Sequence, residues 1–127
     1  MKAMSHIRFL VTDVAAEAAF YRDTIGLSQV VDVPGVYAEF DTGASRLAFY
    51  RAELMGEVLG TPLGSRGDDL VLCLRVDNVD AEVVRLESCG VTMLRAPHDQ
   101  QAWFQRVAHF RDPAGRLVEL WSPLSQD

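Results

Sequence analysis

The 127-residue chain contains no run of about eighteen apolar residues, so the sequence predicts no membrane-spanning helix. The opening Met1-Lys2-Ala3-Met4-Ser5-His6 runs straight into a strand-like stretch, without an apolar leader region or a cleavage site. Cysteine is scarce. Cys73 and Cys89 are too few for a disulfide framework, and a reducing cytoplasm is the expected setting. Positive charge is also in short supply, with 12 basic against 18 acidic residues and a net charge of −6. That balance, with no basic stripe to interrupt it, argues against nucleic acid and against an anionic membrane as partners. A cationic small molecule would be electrostatically welcome.

What the chain does have is the composition of an ordinary globular domain, 49% hydrophobic and 24% charged, at a length suited to one core. It also repeats itself. Val11-Thr12-Asp13-Val14-Ala15-Ala16-Glu17-Ala18 is echoed by Val76-Asp77-Asn78-Val79-Asp80-Ala81-Glu82-Val83, an offset of 78 − 13 = 65. Each copy follows an alternating strand and opens a helix, with Asp13 and Asn78 as N-caps. Val14, Ala18, Tyr21 and Ile25 fall at helical spacing, as do Val79, Val83 and Leu86, and Gly26 and Gly90 punctuate the helix ends. Strand-like runs follow at 28–33, 36–41 and 46–50, and again at 91–95, 103–111 and 116–121. The turns between them include Pro34-Gly35, Asp41-Thr42-Gly43 and Asp112-Pro113-Ala114-Gly115. The expected fold is therefore α+β, two tandem βαβββ modules at 5–51 and 70–122 joined by a linker at 52–69. Within that glycine-rich linker the adhesion-like tripeptide Arg66-Gly67-Asp68 reads as chance.

Side chains alternate across a strand, which sorts the residues by face. Ile7, Phe9 and Val11 belong under the helices, as do Leu70, Leu72, Leu74 and Val76, and the pairs Leu47 with Phe49 and Val118 with Leu120. The opposite face receives His6, Arg8 and Leu10; Arg46, Ala48 and Tyr50; Val71, Cys73 and Arg75; and Leu117, Glu119 and Trp121. It is too mixed for a plain core and too aromatic for plain surface, and a curved sheet around a cavity explains both traits. The duplication relates His6 to Val71, and Ala48 to Glu119 at an offset of 119 − 48 = 71.

These segments resemble the vicinal oxygen chelate superfamily, which includes glyoxalase I, bleomycin-resistance proteins and extradiol dioxygenases. The resemblance is carried by residues 6–13, by Ala19-Phe20-Tyr21-Arg22-Asp23-Thr24-Ile25-Gly26-Leu27, and by Phe110-Arg111-Asp112-Pro113-Ala114-Gly115-Arg116-Leu117-Val118-Glu119-Leu120. It implies the glyoxalase/bleomycin-resistance/dioxygenase fold, with curved mixed sheets enclosing a cavity. It also implies metal ligands at the four related positions, of which this chain matches only His6 and Glu119. Val71 and Ala48 stand at the other two, so the set is incomplete, and a divalent metal is not the favoured cofactor. His109 and Cys73 are the nearest substitutes for a third ligand.

For Glu119 the alternatives are a salt bridge to Arg8 or Arg46, a metal ligand, or a general base with a carboxyl raised by the pocket. His6 is a ligand, a proton shuttle or a hydrogen-bonded bystander; His98, in loop-like Ala96-Pro97-His98-Asp99, is expected to be exposed. Tyr37, Tyr50, Trp103 and Trp121 are candidate aromatic walls, and Arg8, Arg46, Cys73 and His109 candidate ligand contacts. The reading that follows is a protein that binds a small aromatic or cationic molecule in its cavity. The alternative is a lyase, isomerase or dioxygenase using His6 and Glu119, though not glyoxalase I itself. A vestigial cavity in a protein-interaction module is a third possibility. A homodimer is expected, because each half presents a strand edge and members of the resembled family pair their modules within or between chains.

Overall fold

The computed structural model describes residues 2–64, 68–112 and 115–124. In the first module, strand β1 (Ala3–Val11) leads into helix α1 (Val14–Ala19), then β2 (Ser28–Val33), β3 (Tyr37–Asp41) and β4 (Arg46–Arg51). After helix α2 (Ala52–Leu59), the second module runs β5 (Leu70–Arg75), α3 (Val79–Ser88), β6 (Arg95–Gln100), β7 (Gln105–Arg111) and β8 (Leu117–Pro123). The eight strands form one sheet in the order β2-β3-β4-β1-β5-β8-β7-β6. Within each module the first and last strands pair in parallel, β1 with β4 and β5 with β8. The modules join edge to edge through antiparallel β1 and β5, so the sheet order has the symmetry of the duplication.

The caps are symmetric too. Asp13 accepts a hydrogen bond from the Ala16 N–H and Asn78 from the Ala81 N–H, each at 3.0 Å, which satisfies a first-turn amide that the helix itself cannot. On the helix-covered face, Val14 and Ala18 pack with Ala38, Phe40 and Phe49. The second module repeats the arrangement with Val76, Val79, Val83, Ala108 and Leu120. A third cluster lies on the opposite face, where Leu10, Tyr50, Val71, Cys73 and Leu117 meet Met55, Val58 and Leu59 of α2. The strand alternation therefore assigns both faces correctly.

Several local expectations need correction. The stretch read as linker opens with a regular helix, whose apolar residues Met55, Val58 and Leu59 seal one end of the concave face. After Ala19 the first helix widens into a π-helical segment, Phe20–Ile25. The wider turn breaks the 3.6-residue phase, so Ile25 is 53% exposed instead of packed. Strand β6 begins at Arg95, not Val91, and it carries Pro97 because it is an edge strand. His98 is accordingly half-buried on a strand, and does not lie in an exposed loop. Trp103 belongs to a 3-10 turn (Gln101–Trp103) that precedes β7. Arg66 and Gly67 of the tripeptide, and Pro113 and Ala114 of the predicted turn, lie outside the described residues. No helix among the described residues is long and apolar enough to cross a membrane.

Candidate functional site

Strand register brings the concave residues into rows across the sheet. One row runs Arg46, His6, Cys73, Glu119, His109, each the partner of the next. A second runs Glu39, Ala48, Arg8, Val71, Leu117. The four duplicated positions thus flank two residues at the centre, Arg8 between Ala48 and Val71 and Cys73 between His6 and Glu119. Of the four, His6 and Glu119 line a cavity of about 240 Å³. Its walls come from both modules of one chain: His6, Arg8, Tyr37, Glu39 and Tyr50 from the first, Trp103, Gln105, Glu119 and Trp121 from the second. Arg46, Cys73 and His109 are not among the lining residues.

At the floor, Arg8 and Glu119 form a buried two-point ion pair, Nη1 to Oε1 at 3.0 Å and Nη2 to Oε2 at 3.3 Å. His109, fully buried, places Nε2 2.9 Å from the same Oε1. Burial works to raise the Glu119 carboxyl, but the Arg8 charge and the His109 hydrogen bond together hold it well below the ordinary carboxylate range. This is the salt-bridge reading with Arg8 as partner, and it runs against the raised carboxyl that a general base would need. The guanidinium also faces the rings of Trp103 and Tyr50, at 5.2 and 5.9 Å from their centroids.

On the first-module wall sits Glu39, a residue the sequence reading passed over. It receives Arg46 Nη1 at 3.0 Å and His6 Nε2 at 3.1 Å, and the Tyr37 hydroxyl donates to it as well. Against the opposing effect of burial, the hydrogen bonds from His6 and Tyr37 and the Arg46 charge lower its carboxyl to about 2. Ionised Glu39 can only accept, so His6 Nε2 is the donor. The other ring nitrogen, Nδ1, lies 2.8 Å from Ser5 Oγ, and Trp121 Nε1 donates to that hydroxyl oxygen at 2.9 Å. A polar chain thus runs Trp121, Ser5, His6, Glu39, Tyr37 along the wall. Glu39 was legible in principle, since alternation from Tyr37 puts it on the cavity face. Gln105 follows in the same way from His109, four residues on.

A divalent metal does not fit this arrangement. His6 is engaged by Glu39, both Glu119 oxygens are held by Arg8, and His109 uses Nε2 on that same carboxylate. Burial pushes the Cys73 thiol up, away from the thiolate a metal would need. Among the described residues no group of three His, Cys, Asp or Glu could hold an ion. The two expected ligands, His6 and Glu119, line one cavity but serve different partners.

The chain belongs to the Glyoxalase/Bleomycin resistance protein/Dioxygenase superfamily, whose family model matches residues 3–120. It is 34% identical over 123 residues to the uncharacterised protein YraH of Bacillus subtilis, covering 93% of this chain and 96% of that protein. It is 32% identical over 131 residues to the uncharacterised protein YaeR of Escherichia coli, covering 95% and 96%. Among solved structures, a superfamily member from Vibrio splendidus aligns with TM-score 0.70 at 15% identity, over 98% of this chain and 100% of that one. Methylmalonyl-CoA epimerase from Mycobacterium tuberculosis aligns with TM-score 0.71 at 22% identity, over 97% and 89%. At such identities the two structures bear on the fold alone.

Proposed function

We propose that this protein binds a small aromatic molecule in its sheet cavity. The observation that carries the reading is the wall of rings. Tyr37, Tyr50, Trp103 and Trp121 all line the cavity, and Tyr37–Tyr50 and Tyr50–Trp103 meet edge-on at 6.0 and 5.9 Å between centroids. Faces and edges so arranged favour a flat ligand over a branched one. The volume, about 240 Å³, is below the usual range for drug-sized ligands (about 300–1,000 Å³), which points to a one-ring compound.

A cationic ligand has less support, because each carboxylate in the walls already faces a guanidinium, Glu119 with Arg8 and Glu39 with Arg46. The lyase, isomerase or dioxygenase alternative also has little support from Glu119, since an acid or base near neutral pH needs a pKa near neutral. Both tryptophans of the chain line the cavity, so intrinsic fluorescence reports on it directly. Titration with a panel of single-ring aromatics is expected to give a saturable fluorescence change together with a rise in melting temperature. At a ligand concentration a hundred times Kd the stabilisation is about 2.7 kcal/mol. Tyr50→Ala should weaken both responses. A panel with no saturable response in either readout overturns the proposal.

A further inference from the structure

We propose that Arg8 serves as the cavity's fixed cation and receives an sp² oxygen of the ligand, so that the aromatic molecule bound here carries a carbonyl or carboxylate group. The inference rests on the aromatic-ligand reading and adds the polar group to the ring.

Register sets Arg8 at the middle of the four duplicated positions, with Ala48 on one side and Val71 on the other. Those neighbours are small or apolar and offer it no acceptor. A guanidinium carries five N–H donors. Glu119 takes one from each Nη, and Nε is buried without an acceptor among the described residues, although Arg8 is only 6% exposed. Its remaining Nη–H groups have no acceptor among the described residues, and the part of the side chain that is open lines the cavity. An ion pair that served stability alone would gain from a third and fourth acceptor, because unmatched donors at this depth are costly.

The surroundings select the acceptor. Trp103 and Tyr50 lie against the guanidinium, so an aromatic ring entering between the walls brings its substituent toward Arg8. Gln105 also lines the cavity, and its side-chain amide has no hydrogen-bond partner among the described residues. Planar sp² oxygens match the geometry of guanidinium and amide N–H groups, and an ammonium group does not. A ligand cation would meet the Arg8 charge at close range.

The test uses the intact protein in excess EDTA, with benzoate, benzamide and benzylamine titrated separately and tryptophan fluorescence as readout. Benzoate and benzamide are expected to bind at least about tenfold more tightly than benzylamine. Benzoate ahead of benzamide identifies a carboxylate as the preferred group, and parity identifies a carbonyl. Three equal affinities, or a preference for benzylamine, overturn the role of Arg8 and leave the aromatic-ligand reading standing. No saturable response to any of the three, with EDTA or without it, overturns both. A saturable response that appears only when EDTA is left out overturns the fixed-cation role. The double variant Arg8→Gln/Glu119→Gln removes both charges at nearly constant volume, and it should bind the three probes within about threefold of one another. A preference that survives in the folded double variant also overturns the inference. If the double variant does not fold, the affinity ratios of the parent still decide.

Discussion

Glu119 is the residue on which most of the cavity floor depends, and substituting it separates charge from shape. Glu119→Gln keeps the volume but leaves the Arg8 guanidinium buried beside a weaker acceptor, with His109 facing an amide. Breaking one side of a buried ion pair costs about 3–5 kcal/mol, whereas removing both sides together can be nearly neutral. The single variant should therefore melt well below the parent, and Arg8→Gln/Glu119→Gln should recover much of the difference. Acid should close the gap. The folded carboxyl lies below its ordinary value of 4.5, so the unfolded chain takes up its proton first as pH falls. The parent's advantage over Glu119→Gln is present above that value and shrinks as pH drops through and below it. Thermal melts between pH 7 and 3 check both points, and a constant gap across that range would refute the linkage. The ion-pair alternative for Glu119 could be read from residue types and alternation. Its partner could not be chosen between Arg8 and Arg46 without register, which puts Arg46 opposite His6 and within reach of Glu39.

At the level of elements, the sequence was most legible where a residue pattern has one physical meaning. Alternation has a period of two whatever the strand's neighbours, so the two faces came out as expected. The N-caps act within a single turn and were equally plain. Helix α2 was hidden by composition, because Gly56 in its interior makes its local propensity poor and tertiary packing overrides it. The structure shows why Gly56 suits that place: a Cβ there would come within 3.3 Å of the Thr61 carbonyl oxygen. Met55 is fully buried in the concave cluster that also holds Tyr50 of the cavity wall, so α2 backs that wall and is not merely a tether. Met55→Ala should cost about 2–5 kcal/mol, because the strands around it cannot collapse into the space. It should also enlarge the cavity at that end and relax the size limit on aromatic ligands. Comparing one-ring and two-ring compounds by fluorescence titration of a folded Met55→Ala protein tests this. Discrimination identical to the parent's would mean that α2 does not bound the ligand space. The shift of β6 and the place of His98 were illegible for a different reason. Pro97 signals a turn in isolation, and only the strand's position at the sheet edge makes it compatible with pairing.

The whole molecule bears on the expected homodimer. Lining residues come from both modules of one chain. What remains is the sheet's two edges, and they are not alike. β6 carries Pro97 together with Arg95 and Asp99, features that discourage a further strand. β2 has neither proline nor lysine, and Val30, Val31 and Val33 are 45%, 36% and 45% exposed along it. Phe20 and Ile25 of the adjoining π-helical segment are exposed as well, at 48% and 53%. We propose that β2 pairs antiparallel with β2 of a second copy, an isologous contact in which the same apolar edge meets itself across a two-fold axis. The acidic surface does not oppose this, since Asp32 is the one charged residue in the strand. Light scattering at micromolar concentration should give twice the chain mass of 14.1 kDa. Val31→Lys places a charge on the exposed edge, and it should shift the protein toward the monomer. A parent that scatters as a monomer would refute the dimer. A Val31→Lys variant that stays dimeric would mean that the interface lies on another surface.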